Sequence, residues 1–101
     1  MNRKKEDNES ENKKRILVAC VHSDVRQELI RVINGGSNFV VCGEAENANQ
    51  ALETIEKQRV DLAIVDTSPQ DVTCAQVVEE IKLRRPNLPV LTIPMREFLN
   101  G

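Results

Sequence analysis

Four short apolar runs punctuate this chain, and segments with helical periodicity separate them. "RILVACV" (15–21), "FVVCG" (39–43), "DLAIV" (61–65) and "PVLTI" (89–93) are nearly continuous β-branched and aliphatic stretches. Runs of that kind suit strands buried on both faces, as in a parallel sheet. In the first intervening segment Val25, Leu29, Val32 and Ile33 fall at i, i+4, i+7 and i+8. Ala48, Ala51, Leu52 and Ile55 fall at i, i+3, i+4 and i+7 in the second, as do Cys74, Val77, Val78 and Ile81 in the third. Each set predicts one apolar stripe on a helix of about three turns.

The boundary residues agree with this parse. Asn47 with Gln50, and Thr73 with Gln76, have the capping-box spacing, in which each side chain satisfies an orphan backbone donor. Ser23 or Asp24 is placed to cap the first helix, and "NGG" (34–36) offers a left-handed stop. Pro86 and Pro89 bracket the turn into the fourth run, where a helix cannot continue. The predicted order is β-α-β-α-β-α-β with right-handed crossovers, a doubly wound α/β domain with a parallel sheet.

Composition sets the limits of that domain. At 101 residues the chain has room for one core. Residues 1–14 hold a single apolar residue, Met1, so they are expected to form a disordered charged tail ahead of a domain spanning 15–101. Residues 16–101 carry eight Lys or Arg against twelve Asp or Glu. That mildly acidic balance gives no footprint for direct DNA binding. The longest apolar run, "ILVACV", is six residues, against the ~18 a membrane helix needs, and with no apolar core near Met1 a signal peptide is not expected. Three widely spaced cysteines read as reduced thiols, which fits a cytoplasmic protein.

Sites in such sheets form at the carboxyl ends of the strands. The residues to question are therefore Cys20 to Ser23, Gly43 and Glu44, Asp66 to Asp71, and Pro94 to Arg96. "VVCGEAENANQAL" (40–52), "RVDLAIVD" (59–66) and "IKLRRPNLPVLTI" (81–93) are similar, in order and at matching spacing, to the receiver domain of two-component response regulators. The likeness is greatest to receivers that precede a LuxR-type helix-turn-helix domain. It implies a flavodoxin-like sheet of four strands in the order 2-1-3-4 with three helices. The chain ends at Gly101, so the fifth βα unit is expected to be lacking.

The resemblance also implies a chemistry and a partner. Such receivers accept a phosphoryl group from a histidine kinase on the aspartate ending strand three, here Asp66. Two acids at the end of strand one hold Mg²⁺, a hard cation that wants oxygen ligands. Those positions fall on Cys20 and Val21, and the hydroxyl position after strand four falls on Pro94. The loop proline falls on Gln70, one place after Pro69. A lone carboxylate with no partner acids makes a poor Mg²⁺ site. The expectation is a degenerate receiver, not an enzyme, without a cofactor. It would act by contact with a protein such as a histidine kinase or another response regulator. Phosphorylation of Asp66, with Mg²⁺, is the alternative.

Two further readings concern cysteines and edges. Cys20, Cys42 and Cys74, all expected toward the carboxyl edge, would with His22 supply soft ligands for zinc or copper, or a redox site. The bland reading is small apolar filler for the thiols and a loop position for His22. Strand four is expected at a sheet edge, and "PVLTIP" is apolar, so self-association through it as a homodimer, or docking on a partner that supplies the missing element, is expected.

Overall fold

The computed structural model describes residues 13–67 and 72–94, and the side chains of the last helix from Ala75 onward. The chain runs β1 (Lys14–Ala19), α1 (Ser23–Asn34), β2 (Phe39–Ala45), α2 (Ala48–Lys57), β3 (Leu62–Asp66), α3 (Val72–Arg84) and β4 (Val90–Ile93). All strand pairs are parallel, in the order β2-β1-β3-β4. The expected tail, 1–14, falls outside the described residues except for Lys13 and for Lys14, which opens β1.

Alternation along the strands divides the core into two layers. Leu17, Ala19, Ala63 and Val65 face α2 and α3, meeting Ala51, Ile55, Val77 and Ile81. Ile16, Val18 and Ile64 face α1 through Val25, Leu29, Ile30 and Ile33. Only β1 and β3 are buried on both faces, because only they are central; β2 and β4 are half-covered edges.

Several expected details are corrected. β1 stops at Ala19, so Cys20 and Val21 lie beyond it, and β2 continues to Ala45, so Gly43 and Glu44 are strand residues. The β1–β2 register slips at Cys42: Ile16 pairs with Val41 and Leu17 with Gly43. That bulge uses one extra residue and lengthens β2. In α1, Val32 is 63% exposed and Ile30 takes its place against the core.

Helix ends differ too. The N-cap of α1 is His22 and makes no side-chain cap, so neither Ser23 nor Asp24 fills that role. Gly35 ends the helix in the right-handed region, its N–H bonded to Arg31 O, rather than as a left-handed stop. Asn34 contributes differently, its Oδ1 accepting from Val41 N across to β2. Val72 precedes Thr73 in α3, so Thr73 stands inside the first turn and the cap position lies outside the described residues. At α2 the capping box forms: Asn47 Oδ1 accepts from Gln50 N, and Gln50 Oε1 accepts from Glu46 N, one residue before the cap.

Candidate functional site

Asp66 is the last residue of β3, level with Ile93 of β4 and beside the carboxyl end of β1. It is 1% exposed. A carboxylate so deep needs partners. One is Cys20, whose Sγ lies 3.1 Å from Asp66 Oδ2 and donates to it. The same thiol also has His22 O in reach, at 3.4 Å. Cys20 is fixed here because its backbone N–H continues the ladder to Ala45 O while its side chain turns into the sheet. Burial pushes the Cys20 thiol up to about 12, and the bond to Asp66 adds to the effect. The thiol therefore holds its proton at neutral pH and serves as a donor, not as a thiolate ligand.

The cleft at Asp66 is small. Ala19, Cys20, Val21, Glu46, Val65, Asp66 and Val77 line it, and its interior volume is about 10 Å³. That is near the minimum for a single water. Val21 stands on its rim, exposed, and brings no oxygen. Pro94 follows β4 directly and is exposed, with neither hydroxyl nor N–H to offer.

Arginine 26 is the functional-looking residue that the periodicity did not reveal. Its side chain is buried on α1 and reaches three acceptors at the carboxyl edge. Nε meets Glu44 Oε1 at 2.8 Å, Nη1 meets Cys20 O at 2.7 Å, and Nη2 meets Glu46 Oε1 at 3.3 Å. The signal was present, since Arg26 and Ile30 are i and i+4 on the face that Val25, Leu29 and Ile33 share. Glu46, the second carboxylate of the cleft, is thus already engaged by a guanidinium.

The fit to Mg²⁺ follows from these donors. Cys20 and Val21 supply no oxygen, Glu46 is paired, and Asp66 already accepts from a thiol. A divalent ion that prefers an octahedron of oxygens does not fit that set. Among the described residues no group of three or more His, Cys, Asp or Glu is placed to hold a metal. The cysteine cluster fails on geometry. Cys42 sits at the bulge, with Sγ 3.9 Å from Arg59 O at the amino-edge turn before β3, away from Cys20. The slip that inserts Cys42 against the middle of β1 is the reason. The side chain of Cys74 and the loop around Pro69 and Gln70 lie outside the described residues.

A parallel four-stranded sheet with a buried aspartate ending its third strand defines a receiver-type domain. Residues 16–98 match the response regulator receiver domain, and the chain belongs to that family. It is similar to the transcriptional regulatory protein DegU of Brevibacillus brevis, 24% identical over 88 residues that cover 87% of this chain and 37% of that protein. The chain thus spans little more than a third of that relative's length. Among solved structures, the RcsB response regulator of Salmonella typhimurium shares the fold, with a TM-score of 0.68 and 21% identity over 80% of this chain and 41% of that one. The receiver domain of AraT, a response regulator from Geobacillus stearothermophilus, gives 0.65 and 25% over 78% and 62%. The protein is a response regulator receiver domain of two-component signalling. No helix among the described residues is long and apolar enough to cross a membrane.

Proposed function

We propose that this receiver works as a degenerate module, signalling through contact with a protein of a two-component pathway in the cytoplasm and not through phosphoryl uptake. One observation carries the reading: Asp66 is buried against a protonated thiol, in a cleft of about 10 Å³. A phosphoryl acceptor needs an accessible oxygen and compensation for the charge that develops on transfer. Here Cys20 and Val21 supply neither acid, and Pro94 supplies no hydroxyl. The module has no catalysis of its own and no resident cofactor in this reading, and a histidine kinase or a second response regulator is the partner class.

Intact-mass measurement after incubation with Mg²⁺ and acetyl phosphate, or with a phosphorylated histidine kinase, tests it. The native chain is expected to gain no phosphoryl group. The Cys20→Asp, Val21→Asp variant supplies two carboxylates beside Asp66 and is expected to gain one. A native adduct that disappears in Asp66→Asn would overturn the proposal and establish Asp66 as a phosphoacceptor.

A further inference from the structure

The edge of the sheet opposite Asp66 has the other sign of charge. Strand starts, helix ends and the turns joining them share that edge. Nine of the ten Lys and Arg of the described residues stand there, and four of them pair with carboxylates: Arg31 with Glu28, Lys57 with Glu53, Arg59 with Asp61 and Arg84 with Glu56. Among the described residues only Arg26 lies elsewhere, at the carboxyl edge with Glu44 and Glu46. Cations at helix ends complement the helix dipole, so this bias alone has a structural explanation.

A cavity within the edge adds what the dipole does not explain. Ile55, Gln58, Arg59, Val60, Arg85 and Leu88 line a half-open cavity of about 240 Å³ between the ends of α2 and α3. Ile55 is buried, and Val60 and Leu88 are half-buried, so one wall is apolar. Both nearby carboxylates are engaged. Glu56 is held by Arg84, and Asp61 accepts from Arg15 N at 2.8 Å and faces Arg59 at 3.9 Å. Gln58 is bound by Arg15 Nη2. Arg85 is exposed and has no side-chain partner among the described residues.

We propose that this cavity docks an acidic segment of a partner protein. An aliphatic side chain packs on Ile55, Val60 and Leu88, and an adjacent carboxylate meets Arg85. A guanidinium offers a planar pair of donors that matches a carboxylate. The volume is below the ~300 Å³ typical of small-molecule sites and suits one or two side chains. A nucleic-acid backbone brings phosphates in rows and nothing aliphatic for the apolar wall. The inference extends the protein-contact reading, yet it stands at the opposite edge of the sheet, so phosphorylation of Asp66 would leave it intact.

The test is an NMR titration of the full chain with an acetylated, amidated Glu-Glu-Leu-Glu-Glu peptide. Backbone amides of Ile55, Gln58, Arg59 and Leu88 are expected to move, while those of Cys20 and Asp66 stay. In Arg85→Glu, whose spectrum also reports that the fold is kept, the apparent affinity is expected to fall about tenfold or more. A Lys-Lys-Leu-Lys-Lys peptide is expected to move nothing. The proposal is overturned if the acidic peptide leaves the cavity amides still, if Arg85→Glu binds it equally well, or if a single-stranded oligonucleotide or inorganic phosphate moves them where the peptide does not. It is also overturned if Glu6→Gln, Asp7→Asn, Glu9→Gln, Glu11→Gln shifts the cavity amides without added peptide, because the chain's own acids would then be the occupant.

Discussion

A thiol where a carboxylate is expected changes the role of its neighbour. Cys20 lends Asp66 a proton it does not release, and the aspartate becomes a buried acceptor. The consequence is visible in the pH dependence of stability. An ordinary thiol ionises near 9.0, and the folded Cys20 near 12, so between those values the unfolded chain sheds a proton that the folded chain keeps. Stability from this group is full below pH 9.0 and declines as pH rises toward about 12. Urea midpoints of the native chain are expected to fall more steeply over that window than those of Cys20→Val, which isolates this thiol from Cys42, itself shifted upward by burial. Arg26 poses a parallel case. Arg26→Met leaves Cys20 O without its donor and Glu44 and Glu46 without their cation, and is expected to cost ~1–3 kcal/mol in urea unfolding. The two carboxylates are half exposed, so water limits the loss. Asp66 and Cys20 were legible as positions in the sequence; the hydrogen bond between them was not, because 46 residues separate the partners.

Between elements, the closest constraint is where β2 meets α2. A Cβ at Gly43 would sit 2.7 Å from Thr54 Cγ2, inside van der Waals contact. Thr54 is β-branched and its hydroxyl donates to Gln50 O, so it cannot simply rotate away. Gly43→Ala is expected to destabilise by ~1–3 kcal/mol, and Thr54→Ala in the same chain to recover most of that loss, measured as a double-mutant cycle in urea. Periodicity found α2 almost to the residue because its cap and stripe are local: Asn47 and Gln50 act within four residues, and Ala51 and Ile55 face one layer. It was less faithful for α1 and for the end of β1. Val32 satisfies a helical spacing yet points outward, and Cys20 and Val21 continue an apolar run past the last β1 residue. Apolar identity marks where burial is possible; the slip at Cys42 and the neighbouring strands determine where pairing stops.

For the whole molecule, β4 is the feature with consequences for assembly. Among the described residues it pairs with β3 alone, and Leu91 is 47% exposed. Pro89 and Pro94 flank only its ends, and among the described residues no strand pairs with its outer edge. Sedimentation over a range of concentrations is expected to reveal self-association that Leu91→Lys weakens. A native chain that stays a monodisperse monomer at high concentration would count against it. The sequence by itself determined the α/β alternation, the parallel sheet and the place of Asp66, because these follow from short continuous apolar runs, from stripes of period 3.6 between them and from residues at element ends. Only the tertiary structure decided that Cys20 donates to Asp66, that Arg26 occupies Glu44 and Glu46, that Cys42 is remote from Cys20, and that cations collect at the amino edge around a cavity. Each of these depends on strand order and register. Those are set by the combined burial of both sheet faces and cannot be summed from the segments one at a time.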